Sequence, residues 1–303
     1  MGTASGYSPV IATPDGDVEV ELDADHPGFA DPQYRARRNA IAALSVGYKP
    51  GDPIPAVDYT AQEHEVWQIV SGELAAKHRR SACREFLEST AALSLPMDHI
   101  PQLDEVSERL APLTGFAYHP VAGLAPLREF YGAFASAMFF STQYIRHHSA
   151  PLYTPEPDIV HEVIGHANQL ASPRFAQIYA EVGKAVGRTE SPEALAFLSK
   201  VFWFTLEFGV VFEDDDPRAY GAGILSSYGE LDVFQDADIR SFDFAAMGTA
   251  EYDITHYQPV LYAAPSFAQL VDDLMSFYSS YDDEVAARLM GEGDLRRSLR
   301  PTG

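Results

Sequence analysis

Residues 158–166 read DIVHEVIGH, with two histidines, His161 and His166, five positions apart. The stretch departs by one residue from the H-E-x-x-H pattern of zinc-binding helices, because Gly165 stands where that pattern has its second histidine. Residues five apart on an ideal α-helix lie about 140° apart around the axis. A local irregularity could still bring the two rings together. Three readings stay open here: a damaged zinc motif, two ordinary histidines on a half-buried helix, or a different metal site.

A second segment favours a metal site. Residues 193–212 read EALAFLSKVFWFTLEFGVVF, and from Leu195 to Phe212 they are apolar almost all round, as in a fully buried helix. Glu207 is the carboxylate in the middle of this run. A buried carboxylate is costly unless it binds a proton, a cation or a metal, or pairs with an Arg or Lys. Together with His161 and His166 it would form the two-histidine, one-carboxylate set of non-haem Fe(II) oxygenases, although the same ligands could hold zinc.

Composition excludes several classes of protein. The 303 residues carry 44 acidic and 21 basic side chains, a net charge of −23, which disfavours a nucleic-acid partner. No apolar run reaches 18 residues, and the first residues lack a secretory pattern, so neither a membrane span nor a signal is expected. The lone cysteine, Cys83, rules out an intrachain disulfide and indicates a reducing, cytoplasmic compartment.

The chain is organised as one catalytic domain over residues 21–290. Residues 1–20 are rich in Gly, Pro, Asp and Ser and are predicted to be extended, and residues 291–303 are predicted to form a flexible tail. The predicted fold class is mainly α, in the wider α+β class, with a few small strands.

Local signals predict several helices. Four helix starts carry a capping residue, in three of them followed by proline: Asp31, Thr60, Ser172 and Ser191. The strongly apolar pattern over 127–144 predicts a helix, and Asp158 is expected to cap a helix that runs to about residue 170. Residues 219–234 (AYGAGILSSYGELDVF) contain three glycines and predict short strands and turns.

Six longer segments carry a resemblance to a known family. In order along the chain they are DADHPGFADPQYRARR (23–38), IPQLDEVSERL with TGFAYHPVAGL (100–124), STQYIRHHSAPLYTPEPDIVHEVIGH (141–166), FWFTLEFG (202–209), AYGAGILSSYGEL (219–231) and YQPVLYAAPSF (257–267). With these segments the chain resembles the pterin-dependent aromatic amino acid hydroxylases. The resemblance implies a helical basket with small β-elements. It also implies ring hydroxylation of an aromatic amino acid by O2, with Fe(II) and tetrahydrobiopterin as cofactors.

The resemblance assigns roles to individual residues. The implied iron ligands are His161, His166 and Glu207. The residues implied in substrate binding are Arg146 and Thr154 for the amino acid backbone, Pro157, Trp203 and Phe208 around the ring, and Gly223 and Ser226 where the family closes over substrate and supports a histidine ligand.

The implied pterin contacts are Gly123, Leu124, Phe130 and Glu162, the last as a catalytic residue that reaches the pterin through water. Some positions depart from the animal enzymes. Phe140 replaces a histidine, Phe202 replaces a tyrosine, and Pro126 and Leu127 replace serines near the pterin. These departures weaken the assignment of the pterin contacts more than they weaken the other assigned roles.

The expected substrate is L-phenylalanine. Trp203 is similar to the residue of phenylalanine and tyrosine hydroxylases, and Ile254 replaces an acidic residue of tyrosine hydroxylases, which disfavours a buried phenol. Tyrosine is the default product, and meta-tyrosine from a phenylalanine 3-hydroxylase is the alternative, as is a tyrosine or tryptophan hydroxylase. A zinc hydrolase and an inactive metal-binding protein are more distant alternatives. A monomer or weak dimer is expected, with a small aromatic amino acid as the partner and no nucleic acid or membrane.

Overall fold

The structure, a computed structural model, describes residues 9–12, 18–254 and 256–298. Helices dominate it. The α-helices, in chain order, are α1 (Pro32–Ser45), α2 (Ala61–Ser81), α3 (Arg84–Leu93), α4 (Leu103–Thr114), α5 (Leu127–Ala133), α6 (Asn168–Leu170), α7 (Pro173–Arg188), α8 (Pro192–Phe202), α9 (Ala222–Ser226), α10 (Glu230–Val233), α11 (Phe244–Thr249), α12 (Phe267–Ser280) and α13 (Asp283–Ser298). There are two π-helical segments in the described residues. The first, Val160–Ala167, continues directly into α6, and the second, Trp203–Glu207, follows directly after α8.

The strands form three small sheets within these described residues. They are β1 (Val10–Ala12), β2 (Val18–Val20), β3 (Ala117–Pro120), β4 (Met138–Ser141), β5 (Gly209–Glu213), β6 (Asp216–Ala219), β7 (Asp238–Ser241) and β8 (Val260–Ala264). Strands β1 and β2 pair antiparallel, and β3 and β4 pair parallel. The largest sheet has the order β6-β5-β8-β7, in which β5 is antiparallel to β6 and parallel to β8. The expected mainly α fold with small β-elements is confirmed.

The capped helix starts are confirmed. Asp31 accepts hydrogen bonds from the backbone at the start of α1, and Ser172 and Ser191 do the same for α7 and α8. Thr60 and Glu63 cap the start of α2 reciprocally, each side chain accepting from the other's backbone N–H. These side chains satisfy backbone donors that a helix start leaves unpaired, which is why the local sequence identifies them.

The single helix predicted over 127–144 is wrong. Helix α5 ends at Ala133, a 3₁₀ turn follows, and Ala137 takes a left-handed backbone with φ of 52° that redirects the chain into β4. Strand β4 pairs with β3 so that Phe139 lies beside Tyr118. A strand covered on both faces reads as a continuous apolar run, which periodicity cannot distinguish from a buried helix.

The strands and turns predicted over 219–234 are also wrong for most of that stretch. After β6 the chain forms α9 and α10, two short helices. Packing decides this conformation: a Cβ on Gly221 would lie 2.2 Å from the backbone oxygen of Glu207, so the glycine allows α9 to lie against the second π segment. Tertiary contact here overrides the local preference of a glycine-rich sequence.

The two chain ends differ in part from expectation. Residues 10–12 and 18–20 of the predicted extended start form the β1–β2 hairpin, while residues 1–8 and 13–17 lie outside the described residues. Helix α13 continues to Ser298, so the expected tail from residue 291 begins inside a helix. The domain boundaries at 21 and 290 remain a prediction. None of the described helices is both long and apolar enough to cross a bilayer.

The larger of two apolar clusters in the described residues extends from α1 to α13 and includes Ile159, Val160, Val163 and Ile164 of the DIVHEVIGH stretch. Its centre is aromatic: Phe134, Phe139 and Phe202 pack with Tyr179 of α7, with ring centroids 5.1 to 6.4 Å apart. The Phe139 ring also lies 4.7 Å from the ring of His166. The core therefore supports the histidine-bearing helix from beneath.

Replacing Phe139 by alanine should destabilise the fold by about 3 to 5 kcal/mol, because the fully buried ring would leave a cavity among neighbours that cannot collapse. Chemical denaturation followed by circular dichroism measures the change. Phe29→Ala is the matched control, since Phe29 is 42% exposed and should lose little stability. Equal losses in the two variants would contradict this account of the core.

Candidate metal centre and aromatic cluster

The first π segment brings His161 and His166 together. Bonding from residue i to i+5 widens each turn, so residues five apart lie one above the other rather than on divergent faces. The two Nε2 atoms are 3.0 Å apart. Gly165 makes the close packing of α9 possible, because a Cβ there would lie 2.9 Å from the backbone oxygen of Ala222. The irregularity that the five-residue spacing requires is therefore present.

The second π segment delivers Glu207 to the same point. The backbone N–H of Phe208 donates to the oxygen of Trp203, five residues earlier, at 2.9 Å, and β5 starts immediately afterwards. Glu207 is thus the last residue of a widened turn rather than the middle of a helix, as the apolar run predicted. Its carboxylate oxygens lie 3.1 Å from Nε2 of His166 and 3.7 Å from Nε2 of His161.

Hydrogen bonds behind the two rings determine which nitrogen of each carries the proton. Nδ1 of His161 lies 2.8 Å from Oγ of Ser226, and that hydroxyl donates to the oxygen of Gly223 at 3.3 Å. The hydroxyl therefore accepts from Nδ1–H, and Nε2 of His161 presents its lone pair to the centre. Ser226 and Gly223 sit on α9 where the resemblance placed them.

His166 is held by the same kind of relay. Its Nδ1 lies 2.8 Å from the hydroxyl of Tyr179, and this hydroxyl donates to the side-chain oxygen of Gln169. Tyr179 must then accept from Nδ1–H, which leaves Nε2 of His166 as a lone pair as well. Neither Tyr179 nor Gln169 was predicted from the sequence. Their signal in the sequence was weak: Tyr179 is a tyrosine on a buried helix face, and Gln169 is an amide three residues beyond the motif.

Three electron-pair donors therefore meet with no proton among them. Burial lowers the pKa of His161 to about 4 despite the opposing charge of Glu207, so the ring is neutral at pH 7. Burial would raise the pKa of Glu207, but the facing histidines outweigh it and lower that pKa, so the carboxylate is anionic. Ligand atoms bonded at about 2.1 Å to adjacent positions of one octahedral ion lie about 3 Å apart. The trio fits a divalent metal ion and leaves the opposite face open.

Arg146 lies beside this centre in a buried ion pair with Asp158. Its Nε and Nη2 atoms donate to the two carboxylate oxygens at 2.9 and 2.8 Å, and its backbone N–H donates at 2.8 Å. Burial would raise the pKa of Asp158, but Arg146 lowers it overall. Among the described residues none accepts from Nη1. Asp158 was predicted only as a helix cap, and its carboxylate does lie 3.4 Å from the backbone nitrogen of His161.

Trp203, Phe208 and Tyr252 form an aromatic cluster next to Glu207. The Trp203 ring lies 4.5 Å from that of Phe208 and stacks on Tyr252 at 4.4 Å and 18°. Gly223 backs the cluster, since a Cβ there would lie 2.6 Å from the Phe208 ring. Four residues predicted to surround substrate thus converge near the centre: Trp203, Phe208, Gly223 and Arg146.

Two other predicted substrate residues lie differently. The hydroxyl of Thr154 donates to the backbone oxygen of Glu156 at 2.8 Å and so closes a turn. Pro157 lies in the wall of the neighbouring cavity, and its oxygen accepts from the hydroxyl of Tyr144. The structure therefore places Pro157 in the wall of this cavity.

All four residues predicted to contact pterin line one cavity, which also includes Pro157. Gly123, Phe130 and Glu162 form its walls, and Leu124, 65% exposed, lies at its mouth. A Cβ on Gly123 would lie 2.4 Å from a methyl group of Val10, so a larger residue there would require Val10 to shift. Burial, then the charges of Glu207 and Asp158, raise the pKa of Glu162 well above its ordinary value. The four predicted pterin contacts therefore face one common cavity.

A model of the biopterin-dependent aromatic amino acid hydroxylases matches residues 15–289. The chain belongs to this family. The expected enzyme class, a pterin-dependent aromatic amino acid monooxygenase, is thereby confirmed, and so are the cofactors iron and tetrahydropterin with O2 as co-substrate. The zinc-hydrolase alternative is set aside.

Individual relatives agree with this assignment. Phenylalanine 3-hydroxylase of Streptomyces coeruleorubidus is 48% identical over 92% of this chain and all of its own length. Phenylalanine-4-hydroxylase of Caenorhabditis elegans is 43% identical over 85% of this chain, which spans 58% of that protein. A Chromobacterium violaceum phenylalanine hydroxylase with bound iron(III) and 7,8-dihydrobiopterin is 31% identical, with a TM-score of 0.68 over 72% of this chain and 81% of its own.

Two of the departures from the animal enzymes, Phe140 and Phe202, lie in different parts of this hydroxylase. Phe140 stands in the cavity wall, and its ring packs on His119 with centroids 4.6 Å apart. Phe202 is fully buried in the aromatic core beside Tyr131 and Tyr179, away from the cavity. The first substitution therefore changes the surface offered to a cofactor, and the second changes the packing beneath the metal centre.

Ser226→Ala should weaken iron binding by about 10- to 100-fold, because His161 would lose the acceptor that keeps its lone pair directed at the centre. Competition with a chelator measures the affinity. Ser227→Ala is the matched control, since among the described residues the Ser227 hydroxyl accepts only from the backbone N–H of Glu230. Equal iron affinity in the two variants would show that the Ser226 contact does not orient the ligand.

Proposed function

We propose that this hydroxylase hydroxylates the aromatic ring of L-phenylalanine, with iron held by His161, His166 and Glu207. The observation that carries the proposal is the convergence of three unprotonated donor groups from two π segments, with distances of 3.0, 3.1 and 3.7 Å between them. Dioxygen activation is the chemistry that iron and tetrahydropterin supply when bound: one oxygen atom enters the ring, and two electrons from the pterin reduce the other.

The protein's own groups prepare the metal site. Ser226 and Tyr179 keep the protons of the two imidazoles on Nδ1, so both Nε2 atoms remain free to bind metal. His161, His166 and Glu207 would hold the ion through three donor atoms, and a set of this kind leaves coordination positions for dioxygen in non-haem iron oxygenases. The buried aromatic rings beneath His166 keep water away from the back of the site.

Arg146 is the proposed partner of the substrate carboxylate. Its planar guanidinium suits a carboxylate, and Asp158 occupies one edge of it while Nη1 remains available. The same ion pair holds Arg146 in one rotamer, so little side-chain entropy is lost on binding. Thr154 is proposed to bind the substrate backbone from the adjacent turn, with its hydroxyl oxygen as an acceptor.

The ring of the substrate is proposed to lie against the aromatic cluster of Trp203, Phe208 and Tyr252. Ile254 follows Tyr252 closely and adds an apolar side chain, so a phenol or an indole N–H placed there would have to give up its hydrogen bond to water. This apolar character supports phenylalanine over tyrosine or tryptophan as the substrate.

The cavity lined by Gly123, Leu124, Phe130 and Glu162 is the proposed pterin site. Phe130 offers a ring face for stacking, and the carboxyl group of Glu162 reaches the pterin through water. Because burial favours its protonated form, Glu162 can donate a hydrogen bond there without placing a second negative charge beside Glu207.

For the position of attack we propose the meta carbon. Support comes from the Streptomyces phenylalanine 3-hydroxylase, which the chain matches over that protein's full length at 48% identity. The para carbon is the second candidate, supported by Trp203, which resembles the residue of the 4-hydroxylases, and by the 43% identity to the Caenorhabditis elegans 4-hydroxylase. A cytoplasmic location and a monomer or weak dimer remain predictions, the first from the lone Cys83.

Incubating the iron-loaded protein with L-phenylalanine, tetrahydrobiopterin and air should yield meta-tyrosine, in amounts that depend on both pterin and O2. Chromatography and mass spectrometry that resolve the tyrosine isomers measure it, with parallel incubations of tyrosine and tryptophan. A predominance of para-tyrosine would select the second candidate. Failure to convert phenylalanine, or faster conversion of another amino acid, would refute the proposed substrate.

Arg146→Lys should raise KM for phenylalanine about 10- to 100-fold with a smaller change in kcat. Lysine keeps the positive charge but lacks the paired, coplanar N–H donors with which a guanidinium binds a carboxylate. Steady-state kinetics with a fixed pterin concentration measure both constants. Arg174→Lys, on the exposed side of α7, is the matched control. An unchanged KM in a folded Arg146→Lys protein would remove Arg146 from the substrate site.

A further inference from the structure

Gln258 joins the aromatic cluster to the loop that precedes β8. Its side-chain amide is buried, and the whole residue is 5% exposed. The amide oxygen accepts from Nε1 of Trp203 at 3.2 Å, and the amide nitrogen donates to the backbone oxygens of Asp253 and His256 at 2.8 and 3.0 Å. Both ends of one amide are thus engaged, one by the cluster and the other by the loop.

Trp203 is held in two independent ways. Tyr252 stacks on its face and defines the plane of the indole. Stacking does not prevent the ring from turning within that plane, whereas a directional hydrogen bond at Nε1 does. The bond to Gln258 therefore determines which edge of the indole faces the metal centre. Trp203 begins the π segment that ends at Glu207, so its position is tied to a metal ligand.

The loop end of the amide lies around Ile254. The two carbonyl oxygens that Gln258 bonds, those of Asp253 and His256, flank this side chain on both sides in sequence. Losing the amide N–H groups removes one hydrogen bond from each of these two carbonyls and so weakens the restraint on the backbone around Ile254. One side chain therefore couples two walls that would bound the substrate ring.

Glu230 fixes Gln258 itself. The backbone N–H of Gln258 donates to a carboxylate oxygen of Glu230 at 2.9 Å, and Glu230 is buried at the start of α10. Helix α10 follows α9, which carries Ser226 behind the metal ligand His161. Glu230 of α10, which holds Gln258, and Ser226 of α9, which holds His161, thus lie on helices that follow each other in the chain.

We propose that Gln258 is a positioning residue that sets the placement of the substrate ring through Trp203 and Ile254. Its effect is to determine which ring carbon is hydroxylated and how tightly pterin oxidation is coupled to product. This rests on the proposed function, since it takes the aromatic cluster as a wall of the substrate site. A displacement of about 1 Å in a bound substrate can change its rate by about 100-fold, so a single hydrogen bond to the wall suffices.

The test compares Gln258→Met with two other variants. Methionine has a similar length but can neither accept from Trp203 nor donate to the loop. Gln258→Glu keeps an acceptor for Trp203 and loses the donors. Gln102→Met is the matched control: Gln102 also bonds a loop through both ends of its amide, but its partners are the N–H and oxygen of Val57, away from the metal centre.

In Gln258→Met, kcat/KM should fall about 10- to 100-fold, and the isomer ratio and the amount of product per pterin oxidised should change. Iron stoichiometry should stay the same. Gln258→Glu should show a smaller effect. In a Trp203→Phe background, Gln258→Met should add little, because the donor it serves is already gone. Gln102→Met should lower stability alone.

A second readout does not depend on activity. The chain has two tryptophans, Trp67 and Trp203, so protein containing fluorotryptophan gives two fluorine resonances that Trp203→Phe assigns. Gln258→Met should shift or broaden the Trp203 resonance and leave that of Trp67 in place. An unmoved Trp203 resonance, or an unchanged isomer ratio and coupling in a folded variant, would overturn the proposal. If the wild type converts no phenylalanine, the proposed function fails, and the resonance still decides whether Gln258 positions Trp203.

Discussion

The structure is organised around the close approach of His161, His166 and Glu207. With both imidazoles protonated on Nδ1, the three facing donor atoms present lone pairs to one another. Their mutual repulsion is relieved by a divalent cation, and the surrounding chain is built to hold them at the required distances. Several local features meet at these three side chains: both π segments, Gly165 and the short helix α9. The interior beneath the ligands is correspondingly rigid and aromatic, because a ligand that shifts by a fraction of an ångström no longer binds the same ion.

Sequence was informative where the determinants are local. The caps at Asp31, Thr60 and Ser172 identify helix starts because a side chain bonds backbone groups two or three residues away. It was misleading over 127–144 and 219–234, where the outcome depends on a partner distant in the chain: β3 beside β4, and Glu207 against Gly221. The π segments belong to the same class. An ideal α-helix separates residues five apart, and the element that packs on both widened turns, α9, is distant in sequence.

For the site, the residues that carry a charge or a ligand atom could be named from motifs, and their supports could not. Asp158 could be read as a cap but not as the partner of Arg146, and Tyr179, Gln169 and Gln258 carry no motif of their own. Each of these supporting hydrogen bonds joins residues that are 10 to 55 positions apart in the sequence, so the two partners come together only when the chain folds.

X-ray absorption at the iron edge of the Fe(II)-loaded protein tests the central claim most directly, because it counts the ligands of the metal itself. The account predicts two imidazole ligands with oxygen ligands completing a five- or six-coordinate site at about 2.0 to 2.2 Å, and one imidazole fewer in His166→Ala. A site with one imidazole or none in the wild type, or a spectrum that His166→Ala leaves unchanged, would contradict it.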